Sequence, residues 1–182
     1  IPPITKTYFP NFWRRQAMRY INWRNNATMK GEDEYWDVTE REQKPRWTEK
    51  LKVMPEVIPP YLKVIDVDNI SYALYLGRTT DYKNYGWLEK TMEELNIKLL
   101  HPNNVSDEVV HWLLSNAKML VTASTWEGWG RPVHEAESLG IPAVSFDTGS
   151  HKRNTKLGIC VENHNFKALK DAIKIVWDRK TR

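Results

Sequence analysis

Between Ser71 and Arg179, short apolar runs alternate with segments of helical spacing, and this alternation restricts the fold more than any other feature of the chain. Ser71 to Gly77 is a compact apolar run closed by glycine, as a strand buried on both faces would be. Trp87, Leu88, Met92 and Leu95 recur at helical spacing, and Ile97 to Leu100 reads as a second strand. Ser106 can cap the next helix, with Asp107 and Glu108 complementing its dipole and Val109, Val110, Leu113 and Leu114 on its apolar face. A strand at Met119 to Thr122 follows, then a short helix after Pro132 that Gly140 would stop. Ala143 to Phe146 and Gly158 to Val161 read as further strands, and Asn165 to Arg179 as a terminal helix. Strand and helix in turn imply an α/β fold, a parallel sheet flanked by helices and joined by right-handed crossovers.

Open parallel sheets bind ligands at the carboxyl ends of their strands. That rule places the loops 77–83, 101–105, 122–131 and 147–151 on one rim. The most distinctive stretch on it is Trp126-Glu127-Gly128-Trp129-Gly130-Arg131-Pro132-Val133-His134-Glu135, framed by two carboxylates eight positions apart. A strand that ends in a glycine turn aims the free N–H groups of the next helix at one point, where anions are favoured. Gly128 and Gly130 let backbone approach a ligand with no Cβ in the way, and Pro132 suits a first helical turn. Glu135 is expected in the opening turn and Glu127 just before the bend. An ionised carboxylate can accept from both hydroxyls of a sugar diol. From spacing alone, a plain loop leading into a helix with two solvated acids is the favoured reading.

The segment Ser124-Thr125-Trp126-Glu127-Gly128-Trp129-Gly130-Arg131-Pro132-Val133-His134-Glu135-Ala136, followed by Gly140-Ile141-Pro142-Ala143-Val144, resembles the nucleotide-sugar site of the family 4 retaining glycosyltransferases. That family reads roughly S-x-x-E-G-F-G-x-P-x-x-E-A, then G-x-P-V-V, and the similarity runs from about Ser71 to Trp177. The resemblance implies a Rossmann-like parallel sheet forming one half of a GT-B enzyme, its C-terminal donor-binding domain. The implied activity is hexosyltransferase-like: a sugar passes from a nucleoside diphosphate to an acceptor hydroxyl with retention, and no metal or other cofactor is required. Residue by residue, Arg78 and Lys83 match the cations that contact the donor diphosphate, Glu127 the position that meets the donor sugar, and Glu135 the position that accepts from the ribose hydroxyls. Arg78, Lys83 and Glu127 are thereby the implied catalytic groups, since a departing nucleoside diphosphate gains negative charge that fixed cations can stabilise. The Gly128-Trp129-Gly130 backbone would line the sugar pocket, with Trp129 replacing the family's usual phenylalanine. His101 to Asn104 aligns with the loop that meets the nucleobase, and Asn103 stands where the family often has glycine.

Residues 1–50 read as a helical extension and linker, and 51–182 as the donor-binding domain. Pro10 to Arg24 carries Phe12, Trp13, Ala17, Tyr20 and Ile21 at helical spacing, with Arg14, Arg15 and Arg19 mostly elsewhere. Such a helix either lies on a membrane surface near a lipid-linked acceptor or packs on protein. Gly31 to Gln43 is acidic, Lys44 to Lys52 basic, Lys52 to Ile58 can include a short strand, and Ile58-Pro59-Pro60 resembles the connection between the halves of the family's enzymes. A net charge of +4 and nine tryptophans leave a second class open, a basic aromatic module for nucleic acid or an anionic membrane. Under the transferase reading no nucleic-acid partner is expected; the acceptor is a glycan, lipid or protein, held by a further N-terminal domain. The single cysteine, Cys160, and the lack of a signal peptide or long apolar run lead to a cytoplasmic expectation, with peripheral membrane contact through the basic helix. The chain starts at Ile1 rather than methionine, as a fragment or processed product would. His134 reads as structural, while His151 on the rim would reach either ligand or solvent.

Overall fold

The computed structural model describes residues 45–51, 55 and 71–179. The helix expected at 10–24, the acidic run 31–43 and the proline-bearing connection at 58–60 lie outside the described residues, as does most of 52–58. The five strands are β1 (Ala73–Leu74), β2 (Leu99–Leu100), β3 (Met119–Val121), β4 (Ala143–Phe146) and β5 (Ile159–Val161). They alternate with α1 (Tyr85–Glu94), α2 (Asp107–Asn116), α3 (Arg131–Ser138), the short α4 (His151–Asn154) and α5 (Phe166–Trp177). All pairings are parallel and the spatial order is β2-β1-β3-β4-β5, with Ala73 opposite both Leu99 and Met119, and Val144 opposite Val121 and Ile159. This is a Rossmann-like, doubly wound sheet.

The strands carry apolar residues on both faces, and the pleat sends alternate side chains to opposite layers. Tyr72, Leu74 and Leu120 pack with Val109, Leu113 and Leu114 of α2 and Val133 and Ala136 of α3. Ala73, Tyr75, Met119, Val121, Val144 and Phe146 pack with Leu88 and Met92 of α1 and Leu169, Ile173 and Val176 of α5. Each fully buried leucine or isoleucine here contributes about 2 kcal/mol of transfer free energy. The chain moves from β1 to β2 on one side, then crosses through α2 to β3 on the other. The order of winding therefore reverses between β1 and β3, the switch point at whose carboxyl ends open parallel sheets form their binding crevice.

Capping chemistry sets several boundaries. Ser106 Oγ accepts from Val109 N–H at 3.3 Å, the expected N-cap of α2. α1 starts two residues before the apolar pattern, at Tyr85, because Asn84 adopts a left-handed backbone (φ 50°) that asparagine tolerates. β1 is shorter than the run Ser71 to Gly77: beyond Leu74 the Tyr75 hydroxyl donates to Arg78 O at 2.6 Å and folds the chain into the rim.

One carboxylate near the end of α3 joins three segments. Glu137 Oε1 accepts from Ala143 N–H and Gly158 N–H, both at 2.9 Å, while Oε2 accepts from Lys156 N–H at 2.9 Å and Leu157 N–H at 2.7 Å. Glu137→Ala removes all four acceptor contacts and should lower unfolding free energy by about 3 kcal/mol in denaturant titration. Glu137→Gln should recover less than half of that, because its amide NH₂ would face N–H donors on one side.

Candidate functional site

Hydrogen bonds between loops fix the rim around the β1/β3 crevice. Thr125 N–H donates to Tyr82 O at 2.9 Å, and Asn84 Nδ2 donates to Ala123 O at 2.9 Å, tying the loop after β3 to the loop after β1. Glu127 N–H donates to Thr148 Oγ1 at 3.2 Å, Ser150 Oγ to Trp129 O, and Asn163 Nδ2 to Thr125 O at 2.9 Å, which adds the loops after β4 and β5. Glu127 is thus carried by a segment anchored to three of its neighbours.

Lys83, at the end of a 3-10 turn Asp81–Lys83, forms an ion pair with Glu127 across the crevice, and both side chains are mostly buried. Lys83 Nζ also lies 5.3 Å from the Tyr82 ring centre. The structure therefore brings together two of the sequence-derived site residues. Arg78 lies on the same rim segment with its residue exposed, and Asn103 is exposed in the loop after β2. The neighbouring His101 reaches back, its Nε2 lying 2.9 Å from Gly77 O.

Gly128 and Gly130 differ in kind. A Cβ built on Gly128 would meet nothing within 4 Å, whereas one on Gly130 would lie 2.2 Å from Cδ2 and Nε2 of His151. Gly130 has φ +70° and is the N-cap residue of α3. Helix α3 begins at Arg131, with Pro132 in its first turn, so Glu135 falls in the second turn rather than the opening one. Trp129 lies beneath the Arg153 guanidinium at 4.7 Å, and its indole Nε1 is buried without a protein acceptor.

His151 reaches neither solvent nor an open rim: it is 1 % exposed. Its Nδ1 lies 3.0 Å from Phe146 O, so Nδ1 carries the proton and donates. Burial pushes its pKa below the ordinary histidine value, which nearby Glu127 opposes only in part. His134 is likewise shifted down by burial, Glu135 opposing and Arg153 reinforcing.

The least expected feature is at Glu135. Its side chain is 2 % exposed, and Arg46 approaches it side-on: Nε donates to Oε1 at 2.6 Å and Nη2 to Oε2 at 3.1 Å. The remaining arm of Arg46, Nη1, donates to Asp107 Oδ1 at 2.7 Å. Arg131 Nε is 3.9 Å from Glu135 Oε1. Hydrogen bonding to Glu135 raises the Arg46 pKa, burial opposing. Sequence reading placed Arg46 in a basic linker; a pairing across 89 positions leaves no local periodicity by which to find it.

Fold and rim together define a doubly wound α/β domain with its polar loops gathered over a switch point. The sequence profile of the family described as Glycosyl transferases group 1 matches residues 77–181, more than half of the chain, and the chain belongs to that family. No curated protein sequence matches it. Solved structures similar to it include the lipopolysaccharide outer core galactosyltransferase WaaB (21% identity, TM-score 0.48, 70% of this chain and 44% of that one). Another is the pneumococcal O-GlcNAc transferase GtfA in complex with UDP and GlcNAc (19%, 0.45, 58% and 28%). A third is a sucrose-phosphate synthase from Thermosynechococcus elongatus (16%, 0.46, 60% and 36%). The chain spans less than half the length of each. Among the described residues no helix is long and apolar enough to cross a membrane.

Proposed function

We propose that residues 51–182 hold a nucleoside-diphosphate sugar as the donor half of a glycosyltransferase of the family 4 retaining type, which passes the sugar to an acceptor hydroxyl. The observation that carries this reading is the pairing of Lys83 with Glu127 across the β1/β3 crevice. Without a donor these two groups satisfy each other. A bound diphosphate would draw Lys83 away and, with Arg78, receive stabilisation of the charge that develops as the glycosidic bond breaks. Glu127 would then be free to accept from the hydroxyls of the sugar, Glu135 from those of the ribose, and the 101–104 loop with Asn103 would meet the base. Charge stabilisation by the two cations makes a metal or other cofactor unnecessary in this scheme. The acceptor, a glycan, lipid or protein, would be held by a further N-terminal domain, and the reaction would take place in the cytoplasm or at the membrane surface.

Gly128 gives a direct test. Its backbone does not require glycine and a Cβ there would touch no neighbour, so Gly128→Ala should leave the melting temperature unchanged. If the glycine exists to let a sugar lie against backbone, the same change should weaken binding of the matching nucleotide sugar at least tenfold, about 1.4 kcal/mol. Calorimetry with UDP-, GDP- and ADP-glucose on both chains checks it. Failure of all three and of the parent diphosphates to bind the wild-type chain would remove the donor reading.

A further inference from the structure

Residues 45–51 lie along the outer side of α2 as a short strap. The Trp47 ring stacks on His111 with centres 4.6 Å apart and planes 5° from parallel, and the Arg46 guanidinium lies 4.2 Å from the Trp47 ring centre. His111 Nε2 is 2.7 Å from Glu49 O, and Leu51 N–H donates to Ser115 Oγ at 2.9 Å. Trp47 and Leu51 also pack against the hydrophobic layer beneath α2 and α3. The strap delivers one side chain to the rim, and that side chain engages both oxygens of Glu135.

We propose that this strap occupies the ribose subsite, with Arg46 standing where the two ribose hydroxyls would bind Glu135, so that strap docking and donor binding exclude each other. The proposal rests on the donor reading above. A ribose diol offers a carboxylate two O–H donors, one for each oxygen, and the guanidinium already supplies two N–H donors to the same two atoms with a full positive charge behind them. Each oxygen keeps a second lone pair, but with the fork in place the side chain is 2 % exposed, which leaves a diol no open face of the carboxylate to approach. Withdrawal of Arg46 would leave the Glu135 carboxylate, buried in the docked state, without its charged partner, which is costly unless another cation follows. Arg131, 3.9 Å from Oε1 and largely exposed, is placed to take over that charge as Arg46 leaves. The strap would thus hold the empty site neutral and lower the apparent affinity for the donor, and its release would be coupled to binding.

Hydrogen exchange on the whole 182-residue chain, with and without saturating UDP, GDP or ADP, tests this directly. The nucleotide that binds should protect the 122–135 segment and at the same time speed exchange at 47–51, including the Leu51 N–H, by about tenfold. Inorganic diphosphate, which has no ribose, should leave 47–51 unaltered. Arg46→Gln should bind the nucleotide several-fold more tightly than wild type, and Trp47→Ala, which keeps Arg46 but loosens the strap, should shift affinity the same way. Protection of 122–135 with unchanged exchange at 47–51 would overturn the strap and leave the donor reading intact. No protection with any of the three nucleotides would overturn both.

Discussion

Gly158→Ala is expected to abolish folding of the domain. A Cβ at this position would lie 1.7 Å from the carbonyl oxygen of Ala143 and 2.5 Å from its carbonyl carbon and amide nitrogen. These are backbone atoms of β4, so no rotamer change can relieve the overlap. The only relief is to separate β4 from β5, whose register sets Val144 against Ile159 and Phe146 against Val161. Gly158 N–H also donates to Glu137 Oε1 at 2.9 Å, so moving the strand away breaks the carboxylate contacts that join α3, β4 and β5. The loss exceeds about 5 kcal/mol, comparable to the whole stability of a typical domain. Soluble yield and circular dichroism read the outcome. A variant that expressed and melted like wild type would mean that the β4/β5 register is wrong.

Much of this architecture was legible in the sequence because its causes are local or periodic. Strands buried on both faces must be apolar throughout, so Ser71 to Gly77, Met119 to Thr122 and Ala143 to Phe146 stand out from the helical segments between them. Ser106 caps α2 through an atom three residues from its partner, a reach that sequence displays. The loop carrying Glu127 was legible for the same reason, as a run of glycines and acids between a strand and a helix. Other features depend on where the crossovers deliver distant segments. Glu137 receives its N–H donors only after β4 and the following turn have returned beside α3, and Arg46 meets Glu135 across 89 positions. Neither contact leaves a spacing to count. Even the misplaced turn of Glu135 has a local cause: the left-handed residue Gly130 ends the loop, so the helix starts one residue before the proline.

The second large effect is expected at Gly130, where backbone and packing demands coincide. Gly130→Ala places a Cβ 2.2 Å from two atoms of the His151 ring, and it also asks alanine to hold φ +70°. The ring cannot turn aside, because it is 1 % exposed and Nδ1 donates to Phe146 O at 3.0 Å. Left-handed backbone costs alanine about 1 kcal/mol and the overpacked contact about 3 more, giving a loss near 4 kcal/mol in denaturant unfolding. Because Gly130 links the Glu127 loop to the start of α3, the variant should also lose nucleotide binding under the donor reading. Removing the ring tests the cause: Gly130→Ala combined with His151→Ala should be less destabilised than the sum of the two single changes, by about 2 kcal/mol. The backbone strain should persist in the double variant, since it belongs to residue 130 alone. Strict additivity would show that the ring and the glycine do not meet, and that the turn before α3 is shaped by something other than the fit between them.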